Sequence, residues 1–222
     1  MRSFRPSGAG FYPAPHSLPL ASLFLASLAL VLFSFSELAL SLSYDRSAIA
    51  IGEVWRLFAG HWTHWSLEHL VWDLSAFLVL AVCLERRSPR LFVATCLISA
   101  LGLSLGLYFH LPSLVQYRGL SGIDSALFAA LVVDLFWDAL REKDWPRAWL
   151  LLGVCAGFAA KLAWEFATGS AFFVRATSIA TIPEAPLIGA SFGALIAVIR
   201  LLDNPLQLSP RPALIGAMRF SQ

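Results

Sequence analysis

The chain of 222 residues is 58% hydrophobic and only 14% charged, and it carries a net charge of +2. A soluble domain of this size covers its surface with about 25% charged residues, so the composition predicts an integral membrane protein. The small net charge does not indicate a nucleic-acid partner. Cys83, Cys96 and Cys155 lie inside apolar runs, so no disulfide framework is predicted.

Six apolar segments have a length suited to membrane-spanning helices, since one span needs about 20 apolar residues. In chain order they are 18–41, 67–84, 91–110, 120–138, 146–167 and 185–202. A signal peptide is the alternative for the first, but its apolar run is too long, so a retained helix is favoured. The sequence therefore predicts an all-α, polytopic membrane protein with three parts. These are an N-terminal segment 1–17, a six-helix domain 18–202 and a C-terminal tail 203–222.

The basic residues are distributed unevenly between the predicted loops. With the N-terminus inside, eleven lysines and arginines lie on the cytoplasmic side and four lie in the outer loops, while Lys161 lies within a span. Cytoplasmic loops are enriched in Lys and Arg, so this distribution predicts that both termini are cytoplasmic.

Three spans carry pairs of glycines four residues apart, at Gly102 and Gly106, Gly153 and Gly157, and Gly189 and Gly193. Such pairs leave bare backbone on one helix face and let a neighbouring helix approach closely. They predict a compact bundle.

Charged residues inside a bilayer cost about 2.5–3.5 kcal/mol each on insertion scales, so they usually have a task. Lys161 and Glu165 are four residues apart on the fifth predicted span and can pair with each other. The favoured interpretation is a structural ion pair that faces the interior of the bundle.

The first long loop, "EVWRLFAGHWTHWSLEHLVWDLSAF" at residues 53–77, is rich in histidine and tryptophan. Ser66 is the expected N-cap of the second span. His69 and Asp73 then lie one turn apart on a single helix face. A metal site formed by His61, His64 and His69 is an alternative, but the spacing matches no known ligand pattern, so no metal is predicted. A belt of interfacial aromatic residues with hydrogen-bonded histidines is a further alternative.

This loop resembles the signature of the rhomboid intramembrane serine proteases, with "WR" followed by two histidines and a polar residue one turn later. The motif "GLSG" at residues 119–122, at the start of the fourth span, resembles the nucleophile motif of the same family. "CLERRSPR" at the end of the second span and the order of six spans are also similar. The short chain, "YRGLSG" and "KLAWE" resemble the rhombosortase branch, whose members cleave proteins near a Gly-Gly-bearing C-terminal anchor. The resemblance implies a multi-pass protein of a bacterial inner membrane.

The resemblance also implies acyl transfer on a peptide bond at the membrane boundary, without a cofactor. Ser121 would be the nucleophile, and its backbone amide would stabilise the oxyanion with His69 as a second donor. Gly119 and Gly122 would let the backbone come close to the substrate. Asp73 falls where many members carry asparagine, and since a carboxylate does not donate hydrogen bonds, it would hold His69 in place. His64 would be a structural histidine of the loop, with Trp55 and Arg56 as its anchors.

One expected residue is missing. Rhomboids take the serine proton with a histidine on the sixth span, and the glycines of "IPEAPLIGASFGALIAV" place Pro186 at that position. No histidine follows His110, so the usual serine–histidine dyad is absent. Three explanations remain open: a pseudoprotease, a substitute base such as Lys161 or Asp124, or a substitution at position 186 relative to an active parent.

The leading hypothesis is therefore a rhombosortase-like intramembrane serine endopeptidase. Its expected partners are the transmembrane segments of membrane-anchored proteins and the lipid bilayer. A catalytically inactive pseudoprotease that binds such segments is the first alternative. A small transporter or channel that uses Asp73, Lys161 and Glu165 is the second.

Overall fold

The computed structural model describes residues 18–170 and 182–203. The predicted segment 1–17 and all of the predicted tail except Asp203 lie outside this part of the chain. The described residues are mostly helical. The helices are α1 (Leu20–Ser34), α2 (Ser36–Leu42), α3 (Arg46–Ala50), α4 (Arg56–Ala59), α5 (Leu67–Arg87), α6 (Pro89–His110), α7 (Ser121–Glu142), α8 (Trp145–Thr168) and α9 (Glu184–Asp203). A 3₁₀ turn (Gly60–Trp62) and two short strands, β1 (Tyr44–Asp45) and β2 (Gln116–Tyr117), complete the structure.

Four of these helices, α5, α6, α8 and α9, are long and apolar enough to cross a membrane. The bent pair α1 and α2 would be a fifth if the two helices form one broken span. α7 has sufficient length but contains Asp124, Asp134 and Asp138 within eighteen residues. The predicted membrane protein is thus confirmed, with four or five spans by length and composition in the described residues.

The first predicted span is not one continuous helix. α1 and α2 meet at an angle of 115°. Phe35 leaves the helical region with φ −123° and ψ 87°, and the Ser34 hydroxyl donates to the carbonyl of Leu30, a bond that bends helices. The end of α2 is held by Arg56, whose Nη1 donates to the carbonyls of Leu40 and Ser43. This contact with Arg56, the first residue of α4, has no counterpart in the hydrophobic pattern of segment 18–41, which predicts a single helix.

The closest helix packing joins α7 and α9. A Cβ atom at Gly189 would overlap the carbonyl of Gly122, and one at Gly193 would overlap that of Ala126. Gly102 and Gly106 on α6 pack in the same manner against Phe192 and Ile188 of α9. These two glycine pairs therefore pack helices together, as predicted from their spacing. The third pair differs, because a Cβ atom at Gly153 or Gly157 of α8 would meet nothing within 4 Å.

Ion pairs join the helix ends opposite Ser121. Asp134 of α7 is 2% exposed and accepts hydrogen bonds from Arg87 of α5 and Arg200 of α9. Arg87 also donates to Asp138. Glu85 caps α1, since its two carboxylate oxygens accept from the amides of Ala21 and Ser22. These bonds connect α1, α5, α7 and α9 at one end, while the other end carries the candidate site.

Two loops are joined beside that site. β1 pairs with β2 in antiparallel register, with Tyr44 opposite Tyr117. This pairing connects the segment that leads into α7 with the segment that follows α2. His61 lies beneath this pair and is 1% exposed, with Nε2 at 3.0 Å from the carbonyl of Ala100 and 2.9 Å from the hydroxyl of Ser104. Burial lowers the pKa of His61 from 6.5 to about 4.

This depressed pKa predicts an acid-sensitive fold. Between about pH 6.5 and pH 4 the unfolded chain binds a proton at His61 that the folded chain does not, so stability is lost as the pH falls through this range. The shift corresponds to roughly 3 kcal/mol. Unfolding midpoints measured from pH 7 to pH 4 for the wild type and His61→Gln should differ in slope, with the flatter profile in the variant. Parallel profiles would contradict the assignment.

Candidate active site

Ser121 is the first residue of α7, and the turn before it is shaped by Gly119. Gly119 has φ +124°, a conformation that side chains other than glycine rarely adopt. A Cβ atom there would lie 2.7 Å from the His69 ring and 3.0 Å from Asp73 Oδ2. Gly119 thus lets the backbone lie directly against His69 and Asp73. Gly122 meets α9 instead, so both glycines of the motif have a packing role in addition to the one predicted from the resemblance.

Asp73 clamps this turn. Its Oδ2 accepts a 2.8 Å hydrogen bond from the amide of Leu120, the residue before Ser121. The same oxygen lies 3.1 Å from Nε2 of His69 and 3.4 Å from Nε2 of His64. The carboxylate therefore accepts a hydrogen bond from the Leu120 amide and lies beside both imidazole rings.

The two histidines reach this position through the start of α5. The Ser66 hydroxyl caps the helix by accepting from the amide of His69 at 3.1 Å, as the sequence predicts. His64 precedes the cap, and its ring meets that of His69 edge to face with centroids 5.2 Å apart. His64 is fully buried, although neither ring nitrogen makes a hydrogen bond of standard geometry.

The start of α7 provides donors for a developing negative charge. The first amides of an α-helix have no partner within it, and the helix dipole places partial positive charge at this end. The described intrahelical bonds begin with the amide of Asp124 to the carbonyl of Leu120, which leaves the Ser121 amide outside the ladder. Ser125 donates its hydroxyl to the carbonyl of Ser121 at 2.7 Å. This arrangement suits an oxyanion at the Ser121 amide.

Tyr117 is a site residue that the sequence interpretation passed over, although it stands in the quoted "YRGLSG". It is 4% exposed, and its ring meets His61 edge to face at 5.7 Å. Its hydroxyl lies beside Ser121 and the backbone of Gly122 but makes no hydrogen bond of standard geometry. Burial raises the pKa of Tyr117, so its hydroxyl remains protonated at neutral pH and can donate. In the sequence, the position of Tyr117 in the loop before Ser121 is the feature that indicates a hydrogen-bond donor at this site.

Pro186 is buried in the first turn of α9. It precedes Gly189 by three residues and therefore shares the helix face that packs against Gly122, next to Ser121. A proline is acceptable at this point, because the amides of a first turn need no partner within the helix. Its ring has no atom that can accept a proton, so the position next to the nucleophile lacks a base.

Lys161, the predicted substitute base, donates to Glu165 at 2.7 Å. The predicted ion pair is therefore present. Lys161 follows Phe158 by three residues, and the Phe158 ring packs on Phe128 of α7 with centroids 4.8 Å apart. The lysine thus lies on the side of α8 that faces α7, but within the described residues it makes no hydrogen bond to Ser121. Asp124, three residues after Ser121, is buried, and its Oδ1 makes no hydrogen bond within the described residues.

We expect the Asp73 clamp to contribute measurably to stability. Asp73→Ala leaves the buried amide of Leu120 without an acceptor, which costs about 1–3 kcal/mol. Asp73→Asn retains an oxygen that can accept this bond and should cost clearly less. Thermal unfolding of the two purified variants in detergent tests this, and equal losses would contradict the assignment of the Leu120 bond.

A known family of protein domains matches most of the chain. The Rhomboid domain matches residues 51–203, which include α4 to α9 and both loops of the site. No curated protein matches the chain. Within residues 18–170 and 182–203, no group of three or more His, Cys, Asp or Glu side chains is arranged to hold a metal ion.

Proposed function

Because the chain belongs to the rhomboid family, we propose that it is a rhombosortase-like intramembrane serine endopeptidase with Ser121 as its nucleophile. Its substrates are the transmembrane segments of membrane-anchored proteins, cut near the outer boundary of the bilayer. The short chain and the stretches "YRGLSG" and "KLAWE" support the rhombosortase branch.

The position of Ser121 is the observation that carries this proposal. The serine begins α7 directly after a turn that Gly119 and Asp73 hold in place. Its own amide and the dipole of α7 favour negative charge at this point, which is what attack on a peptide carbonyl generates. His69 lies beside the turn as a second candidate donor.

The reaction requires a group that removes the Ser121 proton, since a serine hydroxyl is a poor nucleophile without a base. Lys161 is the proposed substitute. Its ammonium is held by Glu165, so this pair would have to open before the amine can accept a proton. Lys161→Met should then abolish cleavage of a transmembrane reporter.

One observation favours a second function. Pro186 occupies the position expected for the histidine base, and Lys161 is engaged elsewhere. An inactive rhomboid pseudoprotease that binds transmembrane segments without cutting them fits these contacts. The family match gives no corresponding support to the transporter or channel that the intramembrane charges suggested.

The proposed topology has six spans with both termini cytoplasmic, in a bacterial inner membrane. α1 with α2 would provide the first span and α7 the fourth, in addition to the four helices whose length and composition suffice. The excess of basic residues in the predicted cytoplasmic loops, eleven against four, supports this orientation.

Labelling with a serine-reactive fluorophosphonate tests the nucleophile. The purified full-length protein should be labelled, Ser121→Ala should lose all labelling, and Ser191→Ala, which removes an exposed hydroxyl on α9, should label as the wild type does. Labelling of Ser121→Ala would refute the assignment. A wild type that binds a transmembrane peptide but is neither labelled nor able to cleave it would establish the pseudoprotease.

A further inference from the structure

Arg118 lies at the entrance to the site in an unusual environment. Its guanidinium carbon is 4.2 Å from the centre of the Trp65 ring, on which it stacks. Trp65 immediately follows His64, and Arg118 immediately precedes Gly119. The stacked pair therefore joins the segments that lead into α5 and α7.

Among the residues that the structure describes, none accepts a hydrogen bond from Arg118. Six arginines are half-buried in the described residues: Arg46, Arg56, Arg87, Arg118, Arg147 and Arg200. All of these except Arg118 donate to a carboxylate or a backbone carbonyl. The Nε atom of Arg118 is buried and unpartnered, and its guanidinium forms no ion pair with a carboxylate of residues 18–170 or 182–203. Burial without a compensating negative charge lowers the pKa of this arginine.

The surroundings favour an anion at this place. The N-termini of α5 and α7 both begin here, and each contributes partial positive charge. Asp73, the carboxylate beside the turn that follows Arg118, already faces His64, His69 and the Leu120 amide. A guanidinium presents its donors in a planar fork that matches the two oxygens of a carboxylate.

We propose that Arg118, stacked on Trp65 at the entrance to the Ser121 site, binds a carboxylate of the peptide segment that enters this site. The acidic residue would lie on the outer flank of the substrate's transmembrane segment. This inference rests on the proposed binding of transmembrane segments but does not depend on their cleavage. Arg118 would then select substrates by their charge, and this role is separate from the chemistry at Ser121.

A lipid phosphate is the competing ligand for an interfacial arginine. The position of Arg118 favours the peptide, because the guanidinium stacks on Trp65, the residue after His64, and Arg118 precedes Ser121 by only three residues. A peptide bond positioned for attack by Ser121 would therefore lie close to this group. A phosphate at the perimeter of the bilayer would not need to.

Binding of paired peptides tests the proposal. The full-length protein with Ser121→Ala, which prevents turnover, is titrated with fluorescent transmembrane peptides that carry either Asp or Asn at each of three consecutive positions on the outer flank. At one position the Asp peptide should bind about tenfold more tightly, as expected for one desolvated charged hydrogen bond. The preference should weaken as salt rises from about 0.05 M to about 0.5 M. Arg118→Gln should remove it and Arg118→Lys should keep part of it, while Arg90→Gln, an exposed arginine on α6, should retain it.

The outcomes separate the proposals. Equal affinities for every Asp and Asn pair, or a preference that survives Arg118→Gln, would overturn the carboxylate site while leaving peptide binding intact. If Arg118→Gln weakens both peptides equally and only in bicelles containing phosphatidylglycerol, the ligand is a lipid phosphate and the proposal is wrong. If neither peptide binds, the proposed substrate class fails and the carboxylate site fails with it. A charge preference in a protein whose wild type is not labelled by fluorophosphonate would support this inference and the pseudoprotease together.

Discussion

Replacing Pro186 with histidine should raise the rate of fluorophosphonate labelling at Ser121 by about 10²–10⁴-fold, the usual contribution of a positioned general base. Pro186 shares a face of α9 with Gly189, which packs against Gly122, so an imidazole at position 186 would lie next to the serine. The fold should tolerate the exchange, because a first-turn residue needs no proline. Second-order labelling rates of the wild type and Pro186→His measure the effect.

Two further variants make this result interpretable. Pro186→Ala removes the proline without adding a base and should label no faster than the wild type. Pro186→His combined with Ser121→Ala should not label at all. If Pro186→His and the wild type label at equal, high rates, then a base is already present, and Lys161 becomes the group to remove next.

The second large effect concerns the contact between α7 and α9. Gly189→Ala places a Cβ atom against the carbonyl of Gly122, so the two helices must separate. Overpacking of this kind costs about 1–3 kcal/mol. The same separation moves α9 away from the start of α7 and should reduce both labelling of Ser121 and binding of peptides. Gly157→Ala is a matched control, because its Cβ atom meets nothing within 4 Å.

Detergent-unfolding midpoints and labelling rates of the two alanine variants measure this difference. Gly189→Ala should lose both stability and labelling, while Gly157→Ala should resemble the wild type or exceed it slightly in stability, since alanine is the better helix former. Similar behaviour of the two variants would show that the close contact of α7 and α9 does not support the site.

Much of the site was predictable because it depends on residues near one another in the chain. Ser66 caps α5, His69 and Asp73 share one turn, and Lys161 pairs with Glu165 over four residues. Such relationships follow from helix geometry alone. The absence of a histidine after His110 was likewise readable from the sequence without any structure.

Other features depend on contacts between distant segments. The spacing of Gly153 and Gly157 is the same as that of Gly189 and Gly193, yet the first pair faces open space and the second meets α7. The bend at Phe35 accompanies bonds from Arg56 to the end of α2. No local pattern distinguishes these cases, since a small residue permits a close approach but does not specify which helix makes it.

By itself, the sequence determined a helical membrane protein with Ser121 in a rhomboid-like motif and no histidine base, because apolar run length and short-range spacing are local properties. Only the tertiary structure decided what surrounds that serine. It brings Asp73 to the Leu120 amide across 47 residues and places the Tyr117 hydroxyl beside Ser121. It also stacks Arg118 on Trp65, where no described residue accepts a hydrogen bond from its Nε. These contacts join the ends of separate helices, and their existence depends on how the bundle packs.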